Sequence, residues 1–390
     1  MPAEVISLGC RLNLSESEDL RAMLAGEPDL VVINSCAVTA EAVRQTRQAI
    51  RRARRQRPDA RLIVTGCAAE TERAALGAMP EVDGLIANEA KLDPRAWNIG
   101  IRPRATCPTH TRAFIAVQNG CDHACTFCII PQGRGQSRSL GVAEVLKEIG
   151  RHMAGNPGEL VLTGVDLTSW GHDLPGRPGL GDLAQAILDA YPALQRLRLS
   201  SLDGIEIDQQ LFDLITQEQR IMPQVHLSLQ HGDDLILKRM KRRHLRQDAV
   251  ELVAALKAAR PEIAVGADLI AGFPTEDEAA HAANLSIVRE LGIVHGHVFP
   301  YSARAGTPAA RMPQVSAPVI KARAAELRAA VAHERASWLA AQLGKPQQVL
   351  AERDGTGHAP NFARVLLPPG TQAGTIVTVT PTRIVEGLLA

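Results

Sequence analysis

The sequence predicts an α/β protein with a larger central domain and a small domain at each end. Strand-like and helical segments alternate over residues 1–100 and again from about 113 to 300, as expected for parallel sheets covered by helices. After Lys345 the pattern changes to short β-like runs separated by glycine and proline. Because one hydrophobic core seldom organises 390 residues, we expect two or three domains.

The amino-terminal 100 residues are predicted to form a small parallel α/β domain. Its strand-like runs are 4–8, 30–34 and 62–65. Each run leads into a cysteine: Cys10, Cys36 and Cys67. The carboxyl ends of parallel strands lie along one edge of a sheet, so these thiols are expected to converge. Any one of them alone would be typical of an ordinary buried cysteine.

The helix predicted after Cys36 is strongly basic. Thr39 suits its N-cap, and Glu41 suits the first turn, where an acid complements the helix dipole. Eight arginines and one acid occur between residues 44 and 61, and four arginines share a face: Arg44, Arg47, Arg51 and Arg55. A charged face is usually only solvated, but a one-sided arginine stripe also suits a phosphate backbone.

The central segment is predicted to be an open (β/α)6 barrel. Residues 88–112 contain three prolines and little periodicity, which indicates a linker before it. The predicted strands are 114–118, 159–163, 195–199, 225–229, 264–270 and 295–300. Six βα units without a dinucleotide-binding glycine fingerprint favour a barrel over a doubly wound sheet. Barrel enzymes carry their active sites at the carboxyl ends of the strands.

Three cysteines, Cys121, Cys125 and Cys128, follow the first predicted barrel strand in the string GCDHACTFC. Iron-sulfur clusters take thiolate ligands, four for a 4Fe-4S cube, so a set of three leaves one iron for a small molecule. Spacing alone leaves two alternatives. Zinc could be bound with His123 or a distant residue as fourth ligand, or the thiols could be unligated and buried.

CxxxCxxC with Phe127 before the third cysteine resembles the signature of radical S-adenosylmethionine (SAM) enzymes. VQNGCDHACTFCIIPQGRGQSRS, SLGCRLNLSESE, VVINSCAVTAEA and LIVTGCAAE resemble their methylthiotransferase branch. The resemblance implies a 4Fe-4S cluster that binds SAM on Cys121, Cys125 and Cys128. It implies a second 4Fe-4S cluster on Cys10, Cys36 and Cys67. Cys107 has no counterpart and is interpreted as an ordinary thiol.

The resemblance also implies where SAM is bound. Phe127 matches the aromatic residue beside the adenine, and residues 162–166 lie where the family holds the methionine amino group. The full set of expected SAM-binding residues is Phe127, Thr163, Gly164, Asp166, Ser201, Gln230 and Gly272. The glycines of the fifth strand, including Gly272, are expected to let the cofactor approach the backbone.

HLSLQHGDDLILKRMKRRH, GADLIAGFPTE and HVFPYSARAGTPAARMPQV most resemble enzymes that act on N6-threonylcarbamoyladenosine beside the tRNA anticodon. This branch implies contact between the anticodon stem-loop and Arg44, Arg47, Arg51, Arg55, Arg134, Arg138, Lys241 and Arg242. The basic string around Lys241 could instead position SAM, and Arg134 and Arg138 could cap the cluster loop. His231 and Gln132 depart from the family pattern.

The family chemistry is methylthiolation. A radical formed from SAM removes the hydrogen at C2 of the adenine, sulfur from the second cluster attacks, and a second SAM supplies the methyl group. A flavodoxin- or ferredoxin-like electron donor and a sulfur source are implied. The alternatives are methylthiolation of isopentenyladenosine or of a ribosomal-protein aspartate, and a non-catalytic iron-sulfur protein that binds RNA. The opening SLGC string is shared with the ribosomal-protein branch, so that strand taken alone would mislead.

The remaining expectations concern the carboxyl terminus and the cell compartment. Residues 316–343 are predicted to form a helix packed on the barrel. Residues 345–390 predict a short β-barrel resembling a TRAM domain, poor in the basic and aromatic residues that bind RNA. The resulting domains are 1–100, 112–335 and 345–390.

Seven cysteines, no secretory signal and no membrane-length apolar run predict a cytoplasmic protein without a membrane partner.

Overall fold

The computed structural model describes residues 2–100, 110–153, 155 and 157–390. The amino-terminal domain is a parallel sheet with strands in sequential order. Its elements are β1 (Glu4–Ser7), α1 (Arg11–Leu24), β2 (Leu30–Ser35), α2 (Ala40–Gln56), β3 (Arg61–Gly66), α3 (Cys67–Thr71), α4 (Arg73–Gly77) and β4 (Gly84–Leu85). Alternate residues of β2 pack on opposite faces, Val32 in the cluster with Leu20 of α1 and Ile33 in the cluster with Ile50 of α2.

The central domain is an open barrel, as predicted. Its elements are β5 (Arg112–Ala116), β6 (Gln118–Asn119), α5 (Ile130–Arg134), β7 (Arg138–Ser139), α6 (Val142–Met153), β8 (Glu159–Thr163), α7 (Leu180–Ala190), β9 (Leu197–Leu199), α8 (Gln209–Gln217), β10 (Gln224–Gln230), α9 (Asp234–Arg239), α10 (Arg246–Ala259), β11 (Ala264–Ala271), α11 (Glu278–Leu291), β12 (Ile293–Pro300) and α12 (Ala317–Ala340). Parallel sheets β5-β8-β9 and β10-β11-β12 are joined by bridges from Leu197 to Ile221 and from Leu202 to Leu227. Within the described ranges, no ladder joins β5 to β12, so the barrel has an open side.

The amino-terminal domain packs against the first strand of the barrel. Ser15 of α1 donates a hydrogen bond from its hydroxyl to the Phe114 carbonyl at 2.9 Å. Ile129, which follows the last cysteine of the central trio, is buried in the core that also contains Val64 and Cys67. The two domains therefore share apolar contacts next to both sets of cysteines.

The carboxyl-terminal residues form a six-stranded sheet. Its strands are β13 (Gln347–Ala351), β14 (Thr356–His358), β15 (Arg364–Leu366), β16 (Ile376–Val379), β17 (Ile384–Val385) and β18 (Leu388–Leu389), in the order β16-β13-β14-β15-β18-β17. Helix α12 leads into this sheet and packs Leu327 and Val331 into the barrel core, as expected.

The predicted linker before the barrel is partly a packed segment. Trp97 is buried against the amino-terminal sheet and donates its indole N–H to the Lys91 carbonyl at 2.8 Å. Cys107 and two of the three prolines lie outside the described residues. None of the helices described has the length and apolar character that a bilayer crossing requires.

Candidate cluster sites and the cavity between them

The three amino-terminal cysteines gather at the carboxyl edge of their sheet. Cys10 precedes α1, Cys36 follows β2, and Cys67 begins α3. Burial, together with the nearby charges of Cys10 and Cys67, raises the pKa of the Cys36 thiol to about 11. Because such repulsion requires short separations, these residues form one site, which we call the amino-terminal trio.

A buried ion network lies behind the amino-terminal trio. The Glu16 carboxylate pairs with Lys91 Nζ at 2.5 Å and with Arg134 Nη1 at 2.9 Å, and all three side chains are at most 5% exposed. Burial raises the pKa of Cys67, and the positive charges of Arg134 and Lys91 oppose that shift. The network therefore places a net positive charge beside the trio, which favours thiolates there.

The central trio consists of Cys121, Cys125 and Cys128, between β6 and α5. Burial, together with the nearby charge of Cys125, raises the pKa of the Cys128 thiol to about 11. Gln118 fixes the loop to the end of β8. Its side-chain N–H groups donate to the Gly120 carbonyl at 2.8 Å, and its carbonyl accepts from the Asp166 N–H at 2.9 Å.

His123 is held by an acidic residue at the end of β8. Its Nε2 lies 2.8 Å from Asp166 Oδ2, and the Cys121 sulfur lies 3.6 Å from the same carboxylate oxygen. The hydrogen bond that His123 donates to the Asp166 carboxylate raises the pKa of His123. These three side chains have the composition of a zinc site, with ligand atoms within 4.8 Å of one another, but His123 already has a carboxylate partner.

The two trios are adjacent. A Cβ placed on Gly133, five residues after Cys128, would lie 3.1 Å from the Cys67 Cβ. The charge of Cys67 is also among the causes of the raised pKa of Cys128. The contact between α3 and α5 therefore brings the two sets of thiols together.

One cavity of about 680 Å³ extends from the amino-terminal trio into the barrel. Cys10 and Cys36 line one part of it, and the strand-end residues Thr163, Gly164 and Ser201 line another. The remaining wall includes three hydrogen-bonded polar residues, two cations and one aromatic ring. These are His226, Asp268 and His297, then Arg11 and Arg335, and finally Phe362. A molecule in this cavity would contact both the amino-terminal domain and the strand ends of the barrel.

Comparison with known families agrees with both halves of this site. Residues 115–285 match the family model described as the radical SAM superfamily, and residues 3–87 match that of the uncharacterized protein family UPF0004. Over 99% of this chain and 96% of the relative, the sequence is 42% identical to the threonylcarbamoyladenosine tRNA methylthiotransferase MtaB of Rickettsia prowazekii. The chain belongs to the radical SAM methylthiotransferase family.

Other methylthiotransferases of the family are also similar. MtaB of Chlamydia pneumoniae is 33% identical over 98% of this chain and 96% of its own. The tRNA-2-methylthio-N(6)-dimethylallyladenosine synthase of Chloroflexus aurantiacus is 32% identical over 90% of this chain and 82% of its own. The chain is thus a radical SAM methylthiotransferase, and its relatives include enzymes named for two different substrates.

Solved structures support the fold. The radical SAM methyltransferase TsrM from Kitasatospora setae, with cobalamin and a [4Fe-4S] cluster bound, superposes with a TM-score of 0.54 over 76% of this chain and 68% of its own, at 17% identity. The cobalamin-dependent radical SAM enzyme OxsB gives a TM-score of 0.51 over 84% of this chain and 55% of its own, at 10% identity. At these identities the comparison concerns architecture alone.

The residues that the family resemblance assigned to SAM lie at different parts of the site. Thr163, Gly164 and Ser201 line the cavity, and the Ser201 hydroxyl lies 2.9 Å from that of Ser228. Phe127 packs edge-to-face on Phe273 with ring centroids 6.4 Å apart. Gln230 and Gly272, at the ends of later barrel strands, have positive φ angles.

Gln230 ends β10 with a φ of +72°, and Gly272 follows β11 with the same φ. The expectation for Gly272 requires correction. A Cβ there would lie 2.5 Å from Ile320 Cγ1 of α12, so the missing side chain serves helix packing and not the approach of a cofactor.

The predicted RNA contacts divide into exposed and buried groups. Four of these residues, Arg44, Arg47, Arg51 and Arg55, lie along α2, and all but the half-buried Arg47 are exposed. Arg138 and Lys241 are exposed near the central trio. Two predictions were wrong. The Arg134 side chain is only 1% exposed and pairs with Glu16. Arg242 is 7% exposed, pairs with Asp203 at 2.8 Å and lies 3.7 Å from the Cys125 sulfur.

Several residues that shape the site could not be identified from the sequence. Gln118 and Glu16 occur in strings that resemble the family, but nothing in their local pattern indicates their partners. Lys91 lies in the predicted linker and pairs with an acid 75 residues away. His231, one of the departures, is buried and shares Glu276 with Arg323, which identifies it as part of a structural ion network.

Proposed function

We propose that this enzyme methylthiolates C2 of N6-threonylcarbamoyladenosine next to the anticodon of tRNA, using two molecules of SAM and two 4Fe-4S clusters. The observation that carries the proposal is the adjacency of two cysteine trios, one of which lines a cavity that extends into the barrel. The 42% identity to a relative named for this nucleoside supports the choice of substrate. The cytoplasm, which is reducing and contains tRNA, is the expected location.

The donor sets suit iron-sulfur clusters. Cys121, Cys125 and Cys128 would hold the cluster that binds SAM, and Cys10, Cys36 and Cys67 would hold the second. Three thiols per set leave one coordination site for an exogenous ligand. When bound, these groups supply the electron that cleaves SAM and the sulfur that is transferred. An external electron donor, flavodoxin- or ferredoxin-like, and a sulfur source complete the reaction.

The chain's own residues position the reactants. Gln118 holds the central trio against the end of β8, and the positive network of Lys91 and Arg134 favours thiolates in the amino-terminal trio. Six residues are proposed to contact SAM: Phe127, Thr163, Gly164, Asp166, Ser201 and Gln230. Arg242 is assigned to the SAM side, because it lies against Cys125.

The second cluster is tested by the substitution Cys36→Ala. The variant should still cleave SAM to 5′-deoxyadenosine, because the central trio is intact, but it should form no methylthio product. Reconstituted iron should fall from about eight to about four atoms per chain. Cys125→Ala is the matched control and should lose SAM cleavage. Wild-type sulfur insertion by Cys36→Ala would contradict the assignment.

The substrate is tested by mass spectrometry of tRNA nucleosides from cells with and without the gene. Loss of the 2-methylthio form of N6-threonylcarbamoyladenosine is expected. Loss of the isopentenyl counterpart, or of a modified ribosomal-protein aspartate with tRNA unchanged, would support the other branches. SAM binding by reduced protein without 5′-deoxyadenosine would indicate a non-catalytic RNA-binding protein.

A further inference from the structure

Two arginines with no hydrogen-bond or ion-pair partner among the described residues line the cavity beside the amino-terminal trio. Arg11 is the first residue of α1, and Arg335 lies on α12 near the carboxyl-terminal domain. Within the residues that the structure describes, neither guanidinium has a hydrogen bond or an ion pair. Most arginines that line protein interiors have such partners, because an unpaired buried cation is costly.

The surroundings of these arginines are electropositive and partly aromatic. The Arg11 guanidinium lies 5.4 Å from the centre of the Phe362 ring, which also contacts Arg198 at 4.8 Å. Asp268 is the acidic residue lining this cavity in the described ranges, and its Oδ1 accepts from His226 at 3.0 Å and from His297 at 3.1 Å. Asp268 thus bonds to two imidazoles and makes no hydrogen bond to Arg11 or Arg335, so both guanidiniums keep their donors free for an anion.

We propose that Arg11 and Arg335 bind the carboxylate of the N6-threonylcarbamoyl group and so select this nucleoside over adenosines with an apolar N6 substituent. The inference rests on the proposed function and adds its specificity determinant. A threonylcarbamoyl group ends in a carboxylate, whereas a dimethylallyl group is a hydrocarbon. Arginine is suited to carboxylates because its planar donors match both oxygens.

Thr163, Gly164 and Ser201, which are proposed to contact SAM, line the same cavity as the two arginines, so the SAM carboxylate is the main competing anion. The cavity that they line contains Cys10 and Cys36, and none of the central-trio cysteines lines it. The carboxylate of SAM is expected at the central trio. Backbone phosphates of a stem-loop are expected at exposed cations such as those of α2. A base inserted into the cavity would carry its N6 substituent with it.

The test measures binding of anticodon stem-loop RNAs to the reconstituted full-length enzyme. The RNAs differ only in the target nucleoside: N6-threonylcarbamoyladenosine, its uncharged methyl ester, or adenosine. Wild-type enzyme should prefer the free carboxylate over the ester by about tenfold or more, as expected for hydrogen bonds to a charged group. This comparison uses one protein and does not depend on the folding of a variant.

Variants then locate the preference. Arg335→Gln and Arg11→Gln should each bring the ratio of carboxylate to ester affinity close to one, and Arg335→Lys should retain part of it. Arg328→Gln, an exposed position on the same helix α12, is the matched control and should keep the wild-type ratio. An unchanged ratio in both glutamine variants would overturn the proposal. An equal loss of affinity for all three RNAs would do the same, because it would indicate phosphate contact.

The outcome can be separated from a failure of the proposed function. Wild-type enzyme is assayed for methylthiolation of the threonylcarbamoyl and isopentenyl RNAs. Activity on the isopentenyl RNA alone would refute the proposed function itself. Activity on the threonylcarbamoyl RNA with a carboxylate preference independent of both arginines would refute only their assignment.

Discussion

Gly9 sets the distance between β1 and the amino-terminal trio. Its φ is +94°, a conformation that residues with a side chain rarely adopt. A Cβ at this position would lie 2.7 Å from the Cys36 sulfur. The residue thus has two separate reasons to be glycine, one in its backbone and one in the close approach of a ligand atom.

Comparison of Gly9→Ala with Gly370→Ala separates these two reasons. Gly370 has a φ of +84° with no atom near its missing side chain, so alanine there should cost only about 1–2 kcal/mol of unfolding free energy. Gly9→Ala should cost more and should lower reconstituted iron towards about four atoms per chain. Denaturant unfolding and iron analysis provide the measurements. Full iron content in Gly9→Ala would show that the contact with Cys36 is not required.

At the scale of elements, α2 presents a cationic face whose ion pairs are weak. Arg44 pairs with Glu41 at 2.5 Å, but both side chains are more than half exposed, and Arg51 lies 3.8 Å from Glu81. Exposed pairs of this kind contribute little to stability, because water and salt screen them. Phosphates can therefore replace these partners at little cost, which agrees with the proposed RNA contact.

The α2 face predicts a salt-dependent contribution to RNA affinity. Arg51→Gln and Arg55→Gln should each weaken binding of a stem-loop RNA and lower the slope of log affinity against log salt by about one. Arg289→Gln on α11, an exposed arginine on the outside of the barrel, should leave the slope unchanged. Binding isotherms at several salt concentrations measure the slope, and equal slopes for all three variants would contradict the assignment.

At the scale of the whole molecule, a buried ion pair connects the barrel to the carboxyl-terminal sheet. Arg198 of β9 binds Glu159 of β8 through two hydrogen bonds of 2.7 and 2.9 Å, and neither side chain is exposed. The same guanidinium donates to the Pro360 carbonyl at 3.0 Å. Because Phe362, two residues later, lines the cavity, this pair links the barrel core to the wall of the site.

Glu159→Gln should destabilise the protein by about 3–5 kcal/mol, because it leaves a buried guanidinium without its counter-charge. Glu290→Gln removes the partner of Arg246 in an exposed pair and should cost at most about 1 kcal/mol. Denaturant unfolding of both variants measures the difference. Equal effects of the two substitutions would show that the buried pair contributes little.

The pair also predicts a pH dependence. Burial tends to raise the pKa of Glu159, but the adjacent Arg198 outweighs it and lowers that pKa below its ordinary value. The unfolded chain has a glutamate pKa of about 4.3. The pair therefore stabilises the fold above that pH and loses its contribution as the pH falls below it. The acid side of the stability curve should be shallower in Glu159→Gln.

The sequence by itself determined the features that depend on local order. The alternation of strands and helices predicted the open barrel, Thr39 was correctly expected to cap α2, and the cysteines were recognisable at the ends of their strands. Only the tertiary structure decided that Arg134 is buried with Glu16, that Gly272 makes room for Ile320, and that Arg11 and Arg335 share one cavity. Periodicity fixes where a side chain lies on its own element. Its partners come from distant parts of the chain, and they appear only when those parts pack together.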